Sequence, residues 1–519
     1  MLSSKIDLNP DFQQAIDLME HGRQSLFITG KAGTGKSTLL SYFCANTTKE
    51  PVVLAPTGVA ALNVKGQTIH KFFGFSIDVT REKIEAGEFK PKSAKLYKKL
   101  ALIVIDEVSM LRADLLDCID MFLRLYGPEA KQPFGGVKMI FIGDLYQLPP
   151  VVSPAEREMF STTYQTPYFF SAHALKHLDL ELIELEKVYR QKDPAFVELL
   201  NRIRNNSVED DDIVQLNQRF QPNYTAPEKV FTIHLTTTNQ RADEINDAHL
   251  DGLTGKMHHA SAGIKGDFGK EYYPTATDLR FKAGSQIMMV SNDQSRRWVN
   301  GSIGVIESLQ KDEDGYPCLS VRLQGQDEAV TVYPFTWEIY RFAVEGGKIV
   351  SEPMGSFTQF PFRLAWAVTI HKSQGKTFDH VVIDLGRGTF VAGQLYVALS
   401  RCTSFEGIVL KTPIRKQHIR TDFRIYKFLT GYHYRKSEAA LSLQDKVKLI
   451  GQAIAEGKNL GLTYLKANDT KSERVVTPLT VGKETYKGAE YLGVKAYCTK
   501  RHEERMFRVD RILTMQLLS

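Results

Sequence analysis

One run, Gly30-Lys31-Ala32-Gly33-Thr34-Gly35-Lys36-Ser37, constrains this chain more than any other feature. It meets the pattern G-x-x-x-x-G-K-[ST] at every fixed position. It lies between the apolar stretch Ser25-Leu26-Phe27-Ile28 and the helix-like run Thr38-Leu39-Leu40-Ser41-Tyr42-Phe43. Strand, glycine-rich turn and helix in that order let successive backbone N–H groups, and the helix N-terminus, face a polyphosphate. Such a turn presupposes an α/β fold with the strand buried in a parallel sheet. Gly33, Thr34, Gly35, Lys36, Ser37 and Thr38 are therefore the expected cradle for a nucleoside triphosphate. Lys36 would reach the β- and γ-phosphates, and the Ser37 hydroxyl would ligate Mg²⁺.

Hydrolysis needs more than a cradle, and two further strands supply it. Leu102-Ile103-Val104-Ile105 is a continuous apolar run that predicts a buried central strand. Asp106 and Glu107 emerge at its carboxyl end, where open α/β sheets hold their ligands. Asp106 is suited to hold Mg²⁺ through a water, and Glu107 to orient and deprotonate the attacking water. A third run, Val137 to Gly143, leads into Asp144-Leu145-Tyr146-Gln147. The Gln147 amide is suited to hydrogen-bond the γ-phosphate or the lytic water, and so to sense it.

Pro51 to Ala55 predicts another strand, with a tight turn at Pro56-Thr57-Gly58. Downstream, His70 and Lys71 are interleaved with Phe72, Phe73 and Phe75. Aromatic faces that stack bases, beside cations that hold phosphates, suit single-stranded nucleic acid. The same phenylalanines suit a core, where at least one is expected. A second α/β unit is marked by Phe231 to Leu235, the polar loop Thr236 to Asn239, the run Trp366 to Thr377 and the strand Val381 to Leu385. It has no P-loop of its own. Its expected contribution is an arginine delivered to the transition-state charge, which adds about 10³–10⁵ in turnover. Arg401, ending the helix-patterned Gly393 to Ser400, is the first candidate; Arg190, in Val188-Tyr189-Arg190-Gln191, is the second.

In this order the motifs resemble those of the petite-integration-frequency (Pif) helicases, in the Pif/RecD-like branch of superfamily-one DNA helicases. The similar runs are Thr29 to Ser37, Ala55 to Ala61, Ile105 to Met110, Gly143 to Val151 and Tyr189 to Asp193. They continue with Gly284 to Met289, Val299 to Gly304, His371 to Gly375 and Tyr396 to Arg401, spanning roughly residues 5–430. The resemblance implies an ATP- and Mg²⁺-dependent helicase that moves 5′→3′ on single-stranded DNA. It implies two tandem RecA-like domains, at 1–170 and 171–436. A wedge insertion is expected at about 64–95, and a barrel similar to the Src-homology-3 fold at about 281–357. Gln13 falls where the family contacts adenine, and Gly375 is assigned to the nucleotide as well. Thr57, His70 and Phe72 are the strand-binding candidates of the first domain; Thr237, Asn239, Thr369 and His371 are those of the second. Forks, recombination intermediates, RNA–DNA hybrids and G-quadruplexes are all substrates the family allows, in replication, repair, recombination or telomere-type maintenance.

Beyond the motor, Ser442 to Ile450 predicts a capped amphipathic helix, followed by β-patterned runs that end in Arg505-Met506-Phe507-Arg508-Val509-Asp510-Arg511-Ile512. Residues 437–519 resemble a WYL domain, a small β-barrel module, although Glu490 replaces the tryptophan before Tyr491-Leu492. A nucleotide-like or nucleic-acid ligand would be held by Arg474, Arg505 and Arg511 against the Tyr491 face. The alternative is a stabilising appendage whose arginines pair with nearby acids.

At 519 residues the chain is too long for one core. Its net charge of +6 falls short of a DNA-coating module and suits a motor that meets DNA in one groove. Five scattered cysteines, without a C-x-x-C pair, argue against a structural zinc or iron–sulfur site and for a reducing compartment. Residues 1–7 show no apolar signal core and no run approaches membrane-spanning length, so the cytoplasm of a prokaryote and no membrane partner are expected. A monomeric helicase is the reading that follows. Its rivals are a RecD-like subunit that works only inside a nuclease complex and a nucleotide-driven switch governed by the C-terminal module.

Overall fold

The computed structural model describes residues 7–518, apart from 77, 155, 228–229, 346–347, 387, 467–469 and 487. Residues 1–6, which entered the reading of the amino terminus, lie outside those described. Helix α1 (Pro10–Glu20) opens the first domain, its N-terminus capped by the Asn9 side chain, which accepts from Phe12 N. Strand β1 (Ser25–Gly30) is buried at every position and runs into helix α2 (Lys36–Asn46). Then come β2 (Val52–Ala55), β3 (Gln67–Thr68), β4 (Leu102–Ile105), β5 (Lys138–Ile142) and β6 (Leu180–Leu185). They form one parallel sheet in the order β3-β2-β4-β5-β1-β6. Because β4, β5 and β1 are neighbours and parallel, the loops after all three open at the same edge. That is what brings Asp106 and Glu107, Asp144 to Gln147, and the P-loop together.

Two expected borders move. β6 pairs residue for residue with β1, from Ser25 with Leu180 to Gly30 with Leu185, so the first domain continues past 170. β3 pairs with Leu54 and Ala55, so residues 67–68 belong to the sheet and not to a wedge beginning at 64. The following segment folds as three short helices, Ile69–Phe73, Arg81–Glu85 and Ala94–Lys99.

Phe72 is a correction. It is 7 % exposed, with ring centroids 4.8 Å from Phe73, 5.4 Å from Tyr97 and 5.8 Å from Phe342. It is enclosed by other rings, so it offers no open face to stack on a base. Phe72→Ala should therefore cost about 3–5 kcal/mol of stability, as for other buried aromatics. Phe72→Leu, which stays apolar and loses less packing than alanine, should bind labelled single-stranded DNA within about twofold of the parent. Thermal melts and anisotropy titrations separate the two effects.

Helix α3 (Pro194–Arg204) leads into the second domain, whose strands are β7 (Ile233–Thr236), β8 (Ala367–Thr369), β9 (Val381–Asp384) and β10 (Ile408–Leu410). Their parallel order is β8-β7-β9-β10. Helix α4 (Gln394–Leu399) is buried throughout. Phe196 and Leu199 of α3 share an apolar cluster with Leu395, Ile233 and Ile383, and Ala32 and Leu148 of the first domain join it. Between β7 and β8 the chain forms antiparallel sheets that run from His258 to Leu364, wider than the 281–357 expected. A five-stranded sheet there buries Ile287, Ile306, Leu319, Val321 and Phe362.

Residues Asn205–Ser207 and Thr421–Ser519 form a separate compact unit, which begins before the expected 437. The reason is helix Phe423–Ala440, whose Ser437 hydroxyl donates to the Leu513 carbonyl at 2.6 Å. Helix Leu443–Glu456 has Ser442 as its cap, accepting from Asp445 N. A five-stranded antiparallel sheet completes the unit. Arg505 pairs with Glu503 at 2.7 Å. The guanidinium over the Tyr491 ring, 5.0 Å from its centroid, is that of Arg508, which also pairs with Asp510. Tyr491 lies opposite Glu484, ten residues along the strand from Arg474, and Arg505 lies opposite Ala496, so the expected quartet is not one cluster built around Tyr491.

Candidate nucleotide site and nucleic-acid cleft

Gly33 and Gly35 adopt φ +83° and +85°, the left-handed region that bends the loop between β1 and α2. A side chain at Gly33 would also come within 2.6 Å of Arg190 Cβ. Lys36 folds back on the loop, donating to the carbonyls of Gly30 at 2.7 Å and Lys31 at 3.0 Å. Burial lowers its pKa, against the opposing pull of Asp144, Glu107 and Asp106. Thr34 donates to the Lys31 carbonyl at 3.0 Å, while Ser37 and Thr38 stand exposed on the first turn of α2. Gln13 lies on the exposed side of α1, its amide donating to the Leu8 carbonyl at 2.9 Å.

At the end of β4, burial, and then the neighbouring Glu107 charge, push the Asp106 pKa up to about 7. A carboxylate so short of compensating charge fits a divalent cation, with the Ser37 hydroxyl as the second protein ligand and phosphate and water completing a Mg²⁺ shell. Glu107 holds φ +50°, a strained conformation for a residue with a side chain. Its carboxylate accepts from the Gln374 amide of the second domain at 3.0 Å, and burial raises its pKa. The burial suits a base that must take a proton, and the Gln374 bond, which favours the charged form, holds the carboxylate in place. Glu107→Gln should bind a fluorescent ATP analogue normally but hydrolyse ATP about 10²–10⁴-fold more slowly. Phosphate release at the parental rate would remove Glu107 from the catalytic set.

After β5, the Gln147 amide donates to Asp144 Oδ2 at 3.3 Å, and Asp144 is ion-paired with Arg204 at 3.2 Å. Gly393, with φ +76°, precedes α4 and lies directly against the carbonyls of Tyr146 and Gln147.

The second domain brings two arginines to this edge. Arg190 donates to the carbonyls of Ser400 at 3.2 Å and of Gly375, itself at φ +78°, at 3.4 Å. Arg401 donates to the Val397 carbonyl at 2.9 Å, the Lys376 carbonyl at 3.2 Å and the Ser400 hydroxyl at 2.9 Å. Among the described residues neither arginine is in an ion pair. Burial, and then Arg190, push the Arg401 pKa down to about 9, the mark of a cation short of an anion. Tyr396 adds a further link across the domains, its hydroxyl accepting from the P-loop Ala32 N–H at 2.9 Å. Sequence reasoning passed over Tyr396 and Arg204. One lies in an apolar helix run and the other ends an amphipathic helix, and neither pattern differs from that of a structural residue.

A cleft of about 1240 Å³ adjoins this site, with Thr57 and Asn63 of the first domain on one wall and Thr369, His371, Lys372 and Lys376 of the second on the other. Glu107 and Gln374 also line it, so the Glu107 carboxylate borders the cleft. Thr57 and Thr369 each cap a turn, accepting from Ala60 N at 3.3 Å and Lys372 N at 3.2 Å. Burial lowers the pKa of His371, and it pushes that of Lys376 down to about 7, with Arg363 adding to the effect. Of the expected strand-binding set, the cleft unites Thr57, Thr369 and His371. His70 sits on the short helix Ile69–Phe73, while Thr237 and Asn239 flank the Thr238 cap of helix Asn239–Gly252; none of the three lines the cleft.

Residues 8–213 match the model of the PIF1-like helicase family, 364–404 that of the UvrD-like helicase C-terminal domain, and 445–517 that of the WYL domain. The chain is similar to the ATP-dependent DNA helicase PIF1 of Homo sapiens, at 34% identity over 81% of this chain and 63% of the relative. It thus spans just under two thirds of that relative's length. It is 31% identical to the ATP-dependent DNA helicase Pif1 of Bdellovibrio bacteriovorus, over 78% of this chain and 88% of the relative. The structure of Bacteroides sp Pif1 in complex with ADP-AlF4 matches with TM-score 0.75 and 35% identity, covering 82% of this chain and 97% of that one. The same coverage and identity hold for Bacteroides Pif1 bound to ssDNA, with TM-score 0.59.

Proposed function

The chain belongs to the PIF1-like helicase family, and from that premise we propose that it is an ATP- and Mg²⁺-dependent DNA helicase moving 5′→3′ on single-stranded DNA. The observation that carries this reading is a single meeting point. The P-loop and Glu107 of one RecA-like domain face Arg190 and Arg401 of the other, and the cleft beside them is walled by both domains. In this reading ATP would draw the two arginines towards its γ-phosphate, and the cleft walls would shift with them. Opening one base-pair step costs on the order of 1.4 kcal/mol of stacking, so one ATP per nucleotide is energetically ample.

The substrate we assign is single-stranded DNA and its junctions with duplex, which accords with a Bacteroides relative solved bound to ssDNA. G-quadruplex DNA is a further candidate substrate, in replication, repair, recombination or telomere-type maintenance, and the working form is taken to be a monomer. The C-terminal unit is assigned an accessory role with a nucleotide-like or nucleic-acid ligand. A reducing, cytoplasmic setting suits five free cysteines.

The test is strand separation on two matched partial duplexes, one 5′-tailed and one 3′-tailed, with Mg-ATP. Unwinding of the 5′-tailed duplex alone is expected. Unwinding from the 3′ tail would reverse the polarity, and DNA-stimulated hydrolysis without unwinding would favour a switch or a subunit that needs its partner.

A further inference from the structure

Helix α3 buries Phe196, Leu199, Leu200 and Ile203 in the apolar cluster of the second domain, yet its last residue reaches the first. Arg204 is 4 % exposed; its Nη2 donates to Asp144 Oδ1 at 3.2 Å, and its guanidinium lies 3.9 Å from the centroid of the Tyr146 ring. The Asp144 side chain has no exposed surface. Its Oδ1 also accepts from Tyr146 N at 3.2 Å, and its Oδ2 from the Gln147 amide at 3.3 Å. One buried carboxylate therefore joins an arginine rooted in the second domain to the amide read above as the γ-phosphate sensor.

We propose that Arg204 is a positioning residue that sets the Gln147 amide through Asp144 and ties that amide to the second domain. The inference rests on the reading of Gln147 as sensor. To touch a γ-phosphate or the lytic water, the amide must give up Asp144. A buried carboxylate stripped of a donor, close to an incoming triphosphate, is strongly disfavoured unless a cation stays with it. Arg204 is that cation. It keeps Asp144 neutralised in both positions of the amide, so the amide changes partner without stranding a charge. Stacking on Tyr146, next to Gln147 in the chain, fixes the direction of the guanidinium.

A passive staple between the domains would share some of these contacts, so the test must separate the two. Arg204→Met, Gln147→Ala and the double variant, each in the full chain, are compared for kcat and KM with saturating single-stranded DNA, and for affinity for a fluorescent ATP analogue. Arg204→Met is expected to lower kcat on the order of 10²-fold, the scale of a lost transition-state donor, with KM and nucleotide affinity within about threefold. If Arg204 acts through Gln147, the double variant falls no more than about twofold below Gln147→Ala alone. Multiplication of the two single losses, or an unchanged kcat in Arg204→Met, overturns the proposal. An unchanged kcat in Gln147→Ala instead removes the sensor reading itself. Should Arg204→Met fold poorly, Arg204→Met with Asp144→Asn removes the stranded charge. That pair should regain thermal stability but not kcat, and recovery of both would also overturn the proposal.

Discussion

Lys36→Ala is expected to lower DNA-stimulated ATP hydrolysis by at least about 10³-fold, more than a neutral donor's loss costs, because a full charge on the β/γ-phosphates disappears. The DNA-binding surface should be spared. The cleft is lined by Thr57, Thr369, His371 and Lys372, and Lys36 is not among its walls. Affinity for a labelled single-stranded oligonucleotide should stay within about threefold of the parent, since separate, non-contacting sites respond independently. Phosphate release and anisotropy, measured on the same preparation, decide the matter. Hydrolysis at the parental rate would end the assignment of this loop as the ATP site. The loop itself should also loosen, because the carbonyls of Gly30 and Lys31 lose the ammonium that bridges them.

Arg401→Ala is the second large effect, about 10³–10⁵ in turnover if this residue supplies the charge that an arginine finger supplies elsewhere. The geometry favours it over Arg190. A guanidinium carries five N–H donors. In Arg401 the bonds to Val397, Lys376 and Ser400 leave donors of both terminal nitrogens free for phosphate. Its nearest acceptors are neutral, so an arriving γ-phosphate finds a cation not already matched by a carboxylate. Among the described residues Arg190 bonds only to the carbonyls of Ser400 and Gly375 and keeps more donors, but it is half-buried where Arg401 is enclosed, so its own replacement should cost less. Arg401 is also 1 % exposed, and its removal leaves a hole. Arg401→Lys, which keeps a cation in that space, should restore the melting temperature without restoring turnover. A single-turnover rate within about tenfold of the parent, with nucleotide bound, would exclude the finger role.

What the sequence disclosed and what it hid divide along one line. That Lys36, Asp106, Glu107 and Gln147 would meet at one edge could be read because phosphate chemistry dictates residue type at the end of a strand, and each strand announces itself by a local apolar run. Pairing is not local. Leu180 to Leu185 looks like any half-buried strand, and only its register with β1 assigns it to the first domain. The short β3 was taken into the wedge for the same reason: its partners, Leu54 and Ala55, lie earlier in the chain. Phe72 could be read as a base-stacking face until Phe73, Tyr97 and Phe342 closed around it. The antiparallel insertion was expected from the family resemblance, but its first strands at His258–Ser261 and Gly263–Gly266 are polar or glycine-rich and do not mark its start. Arg204 was invisible because a charge ending an amphipathic helix is ordinarily solvated, and here it is enclosed.

Helix α4 begins against the backbone of Tyr146 and Gln147, through a glycine with no room for a side chain, and stops just before Ser400 and Arg401. It is a spacer of fixed length with the sensor segment at one end and the arginine at the other. If Arg401 is the residue that meets the γ-phosphate, a spacer without play lets it do so only when the strand end carrying Gln147 is seated as well. Half-closed encounters between the domains should then be unproductive, and bound ATP should survive them.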